Sequence, residues 1–119
     1  MTTLNLFRHA TNVETYTAGQ VIFQEGQHGD VMYVVQAGQV DILLNGMPFD
    51  LAGAGDIFGE MALIDDRPRS ASAVAATDCT LVRIDERRFT FLVQQTPHFA
   101  LTVMRVMADR LRKRMNKDT

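Results

Sequence analysis

The sequence predicts a mainly-β fold, an antiparallel, jelly-roll-like β-roll with a short N-terminal helix and C-terminal helices. Three observations point there. Seven of the eight glycines (Gly19, Gly26, Gly29, Gly38, Gly46, Gly53 and Gly55) punctuate residues 19–55 at short intervals. Between them apolar and polar residues alternate, the mark of half-buried strands closed by tight turns. After Asp85 the apolar period lengthens from two residues to the three-to-four of a helix.

Taken in order, LNLFRH (4–9) reads as a helical turn that packs Leu4, Leu6 or Phe7 onto the body. Strands are expected at 13–17, 20–24, 31–36, 38–44, 47–51, 71–76 and 79–85, which places the roll at about 13–85. VMYVV and QVDILL are the core strands, and Asn45-Gly46 is a strong hairpin signal. ERRFTFLVQQ reads as a short helix with Phe89, Leu92 and Val93 inward. Thr96-Pro97 reads as an N-cap followed by proline at the first helical position. From there to about Arg114, Leu101, Met104, Met107 or Ala108, and Leu111 form an apolar stripe at helical spacing. Arg110, Arg112, Lys113, Arg114 and Lys117 gather where they complement the negative end of the helix dipole.

At 119 residues the expectation is one domain, 1–119, with C-terminal helices at about 86–115. A 46% hydrophobic and 22% charged composition is globular, and no apolar run approaches a membrane span. MTTLNLFRHATN lacks the basic start and apolar core of a secretory signal. Cys79 is the only cysteine, which excludes an intramolecular disulfide and a thiolate metal cluster. A cytoplasmic location follows as the expectation. Residues 1–60 hold one basic residue, Arg8, against seven acidic ones, whereas 61–119 hold the other 11 Lys/Arg. Such asymmetry fits an anionic partner and equally two differently solvated faces.

The chemistry concentrates in GDIFGEMALIDDRPRSASAVA, residues 55–75. FGEMALID reads as a turn of helix entered through Gly59, whose first N–H groups favour an anion. Ten residues on, Arg69 can return to that spot and offer its planar fork to two phosphate oxygens. Pro68 forces the chain to turn there. Ser70, Ala71 and Ser72 are small enough for backbone N–H groups to approach a ligand. Glu60 would repel a phosphate, but it fits as an acceptor for a sugar hydroxyl. Phosphate and sugar hydroxyl together describe a nucleotide.

FGEMALIDDRPRSASAVA resembles the phosphate-binding cassette of the cyclic nucleotide-binding domain. That module occurs in bacterial catabolite activators, in regulatory subunits of the cyclic AMP-dependent kinase and in nucleotide-gated channels. AGQVIFQEGQHGDVMYVVQAGQVDI resembles the family's glycine-marked strands, and TPHFALTVMRVMADRLR its C-terminal helix. The resemblance implies a β-roll receptor without catalysis, metal or cofactor, whose ligand is cyclic AMP, with cyclic GMP the alternative. It implies that Glu60 holds the ribose 2′-hydroxyl and that Arg69 pairs with the cyclic phosphate. Backbone N–H groups of the Gly59–Ala62 turn and of Ala71 would assist, and Phe58, Met61, Ala62 and Ser70 complete the expected site. Ser70 leaves the base open; Arg-Ser, as in bacterial activators, favours cyclic AMP. Leu111 and Arg110 are the candidates for capping the base. On binding, residues 59–71 would order, the Met61–Leu63 turn would shift and the C-terminal helix would fold over the base.

The implied partners are an effector protein and a second copy of the chain, paired through the Met104–Leu111 stripe. Two departures from the family pattern stand out: a short N-terminal helical segment, and no helix-turn-helix, kinase-docking segment or pore after the last helix. A stand-alone sensor is therefore expected, with a ligand-free interaction module, or a receptor for cyclic GMP or a cyclic dinucleotide, as alternatives. The simplest rival account of Glu60 and Arg69 is a surface ion pair, worth roughly 0–1 kcal/mol. Ile57, Phe58, Leu63 and Ile64 suit a core, and Asp65, Asp66 and Arg67 a solvated loop tip. His9, His28 and His98 lie too far apart for a cupin-like metal site. The basic tail lacks a recognition helix or stacking platform, so nucleic acid is not an expected partner.

Overall fold

The computed structural model describes residues 6–118, so Leu4 of the expected N-terminal turn lies outside the described residues. Eight strands form two four-stranded antiparallel sheets. They are β1 (Val13–Tyr16), β2 (Val21–Phe23), β3 (Val31–Ala37), β4 (Val40–Leu44), β5 (Met47–Ala52), β6 (Ile57–Phe58), β7 (Ser72–Ala75) and β8 (Cys79–Asp85). One sheet runs β1-β8-β3-β6, the other β2-β7-β4-β5. Beyond the N-terminal turn, the described helices are α1 (Met61–Ile64), between β6 and β7, then α2 (Glu86–Gln95) and α3 (His98–Asp118), after the last strand. The seven expected strands are present, their ends shifted by at most two residues and 79–85 matching β8 at both ends. β6 is the addition: its two residues are too few to show an alternation.

Alternation explains the packing. In β3, Val31, Tyr33 and Val35 face the space between the sheets, with Phe23, Ile42, Phe58, Ala73 and Leu81. Met32 and Val34 face the other way, into a second core with Phe7, Ile57, Val82, Ile84, Phe99 and Val103. Both faces of this strand are covered, which is why VMYVV is apolar without interruption. Asn45 and Gly46, with φ of 55° and 77°, form the two-residue turn between Leu44 and its partner Met47. The N-terminal turn adds Phe7, fully buried with its ring edge-on to Phe99 at 6.1 Å.

The change of period at Asp85 is a helix cap: its carboxylate accepts from the Arg88 N–H at 2.8 Å. α2 turns Phe89, Leu92 and Val93 onto the second core, as expected. α3 begins at His98 rather than Pro97. Thr96 serves both helices through its backbone, donating to Leu92 O at 2.7 Å and accepting from the Phe99 N–H at 2.9 Å. The inward face of α3 also differs from the expected stripe. Phe99, Val103, Val106 and Met107 pack on the roll, while Leu101, Met104, Leu111 and Met115 are exposed. The helix carries apolar residues on two sides, and periodicity alone cannot say which side meets the sheet.

Candidate functional site

A cavity of about 540 Å³ opens between the roll and α3. Phe23, Ile42, Leu44 and Phe49 wall its apolar side, and Met107, Ala108, Arg110, Leu111 and Arg114 face them from α3. The segment between β6 and β7 forms the rest. All eight expected site residues line this one cavity: Phe58, Gly59, Glu60, Met61, Ala62, Arg69, Ser70 and Ala71. Phe58 is a core residue as well, stacked on Tyr33 at 5.3 Å, so it forms the floor. Ile57 and Leu63 pack in the second core, whereas Ile64, expected in a core, is half exposed. α1 is one turn long and lies against β3.

Gly59 enters α1 with φ of 74°, a conformation only glycine adopts cheaply. The next residue, Glu60, is 5% exposed, and Arg69 is 9% exposed. They are therefore not a surface ion pair, and they are not paired with each other. Arg69 lies over the Phe23 ring at 4.0 Å. It donates from Nη1 to Gly59 O at 3.1 Å and from Nη2 to Val31 O at 2.9 Å. Its Nε is buried with no hydrogen-bond partner. Burial pulls its pKa down, and Tyr33, Asp30 and Glu60 pull it back only in part. Guanidinium stays charged regardless. This is a buried cation without a carboxylate at ion-pair distance among the described residues.

Glu60 has its partner on α3. Arg110 Nη1 donates to Glu60 Oε1 at 2.6 Å, Nη2 to Ile57 O at 2.6 Å and Nε to Asp50 Oδ2 at 3.2 Å. Lys113 adds a bond to Asp50 Oδ1 at 3.2 Å. Burial alone would raise the pKa of Asp50, but hydrogen bonds from Lys113, the Leu51 N–H and Arg110 hold it below its ordinary value. Arg110 thus ties α3 to the roll. The turn's N–H groups are partly committed too: Ala62 donates to Gly59 O at 3.3 Å and Leu63 to Glu60 O at 3.1 Å.

Sequence reasoning missed Asp50, Lys113 and the apolar wall. A signal existed for Asp50, a charge between Phe49 and Leu51 in MPFDLA. Another existed for Arg110, which continues the Phe99–Val103–Val106 row at helical spacing. No described helix is long and apolar enough to cross a membrane. Among the described residues no group of three or more His, Cys, Asp or Glu could hold a metal ion.

Comparison with known proteins gives the same direction. The cyclic AMP receptor protein of Thermus thermophilus is 37% identical over 103 residues, covering 82% of this chain and 48% of that protein. The crystal structure of the Thermus thermophilus catabolite activator protein superposes with a TM-score of 0.79 at 30% identity, over 98% of this chain and 57% of that one. The EAL enzyme Bd1971 is 35% identical in a cAMP-bound form (TM-score 0.65, 89% of this chain and 29% of that one) and in a cGMP-bound form (TM-score 0.66, 88% and 29%). The chain spans less than half the length of the curated relatives it matches. The cyclic nucleotide-binding domain family matches at residues 13–96, and with that match, this fold and this cavity the chain belongs to that family.

Proposed function

We propose that this single domain is a receptor for cyclic AMP, held in the cavity between roll and α3 and reported through α3. The observation that carries the reading is Arg69, a deeply buried guanidinium with an unbonded Nε and no carboxylate partner among the described residues. A buried cation left so is costly, and an anion brought from solvent offsets the cost. A cyclic phosphate suits it: one negative charge and two free oxygens, which match a planar fork. The ribose 2′-hydroxyl would donate to Glu60, whose Oε2 remains available while Arg110 holds Oε1. Ala71 would offer its N–H to the phosphate, and Phe23, Ile42, Leu44 and Phe49 an apolar wall to the purine. Ser70 is an exposed hydroxyl on the rim, and Bd1971 takes both cAMP and cGMP forms, so cyclic GMP is the second reading.

Signalling follows from Glu60, which touches both the sugar position and α3. A ligand that binds one placement of α3 more tightly than another shifts the balance between them, and without that difference nothing is signalled. The row Leu101, Met104, Ala108, Leu111 and Met115, exposed except for the half-buried Ala108, advances by alternate threes and fours, the spacing of a coiled-coil seam. Ala108 and Leu111 belong to both this row and the cavity. A second copy, or an effector helix, is the surface's proposed partner. Calorimetric titration of ligand-free protein with cyclic AMP, cyclic GMP and 5′-AMP tests the reading. Saturable binding of a cyclic nucleotide, with 5′-AMP much weaker, supports it. Silence with all three and an unchanged melting temperature would leave an interaction module instead.

A further inference from the structure

Six glycines of this chain sit at positive φ, where the turn itself demands them. Gly29, in the loop between β2 and β3, is not one of them; its backbone is open to any residue. What it lacks is room. A Cβ on Gly29 would lie 2.5 Å from Cζ and 2.6 Å from Nη2 of Arg69, and closer still to Nε. The guanidinium cannot step aside freely, because Gly59 O, Val31 O and the Phe23 ring hold it where it is. The backbone cannot part freely either. Gly26 N donates to Arg69 O, and Arg69 N to Gln27 O, both at 2.8 Å. Gly53 makes the contrast: it too lacks a positive φ, and a Cβ there meets only Asp56 Oδ2 at 3.9 Å.

We propose that Gly29 is a positioning residue for Arg69. Its bare Cα sets the depth at which the guanidinium lies and makes the β2–β3 loop part of the anion site. The inference rests on reading Arg69 as the phosphate ligand. A side chain at 29 displaces the edge that carries Nε, the donor still unbonded, and so misaligns the fork while the fold stands.

The test compares Gly29→Ala with Gly53→Ala. Cyclic AMP affinity is measured by calorimetry, and the ¹⁵Nε–H signal of Arg69 in ligand-free protein by NMR, assigned by its loss in Arg69→Lys. Gly29→Ala is expected to weaken cyclic AMP about tenfold or more, as loss of a charge-assisted hydrogen bond does, and to move the Nε signal. Gly53→Ala should change neither. In an Arg69→Lys background, which lacks the clashing atoms, Gly29→Ala should cost less than about twofold. Binding by Gly29→Ala within twofold of the parent, with the Nε signal unmoved, overturns the proposal. Should Gly29→Ala fail to fold, recovery in the double variant with Arg69→Lys supports it, and continued failure overturns it. If the parent binds no cyclic nucleotide, the functional reading falls, while the NMR comparison still decides whether Gly29 places Arg69.

Discussion

Two arginines meet the cavity from opposite walls and are held in opposite ways. Arg110, on α3, is paired: two carboxylates and a carbonyl accept from it. Arg69, on the roll, has two carbonyls, an aromatic face and an unbonded Nε. Arg110 is bound as a structural cation is, with its charge answered from within the chain. Arg69 is positioned by neutral groups that fix its direction and leave its charge unanswered. The difference separates a group that holds the molecule together from one kept for something that arrives.

The comparison breaks most readily at Arg69. Replacing it with methionine, of similar bulk and no charge, should weaken cyclic AMP by more than about a hundredfold, since at least two charge-assisted bonds are lost. The melting temperature should move little, because the side chain removed was a poorly satisfied cation. A variant that melts far lower, or binds as the parent does, would reverse the assignment. Arg110→Met is the mirror experiment. It strands Glu60 in a buried site, and breaking one side of such a pair costs about 3–5 kcal/mol. Thermal melting should show this as a fall on the order of 10 °C or more. Adding Glu60→Gln should recover part of the loss, a non-additivity that unconnected residues would lack.

How much of this was legible beforehand depends on the kind of signal. The strands could be read because glycines and alternation act locally, and each strand's inward residues obey a period of two. β6 and the true inward face of α3 could not, since a two-residue strand has no period and a helix apolar on two sides has two candidate faces. Eight of the residues that line the cavity were legible because they sit within one short stretch, from Phe58 to Ala71. Arg110 was named, but as a cap on the base; its bond to Glu60 crosses fifty positions, and no local pattern reports such a partner. Gly29 looked like one more turn glycine because the sequence does not carry φ.

Two smaller tests sharpen the contrast. Glu60→Gln keeps a hydrogen-bond acceptor but loses the charge, so the preference for cyclic AMP over its 2′-deoxy analogue should shrink by about tenfold. An unchanged preference would remove Glu60 from the sugar. The smallest expected effect concerns acid. Asp50 titrates below its ordinary value of 3.8, so its bonds to Arg110 and Lys113 stabilise the fold fully above that pH. They are lost as pH falls through the lowered folded-state value. Melting curves across that range should fall less steeply for Asp50→Asn than for the parent. Equal slopes would mean that the foot of α3 does not depend on this charge.

β3 has a consequence of another kind. Val31, Tyr33 and Val35 belong to one core and Met32 and Val34 to the other, so neither core can open without exposing the same strand. The molecule is thus built to lose its protection in one step. The amide protons of β3 should exchange with solvent only through global unfolding, at the free energy of the whole domain. Those of the β4–β5 turn at Asn45-Gly46 should exchange through local fraying. A ligand that tightens the domain should slow β3 by the full stabilisation it confers at its working concentration and leave that turn almost untouched.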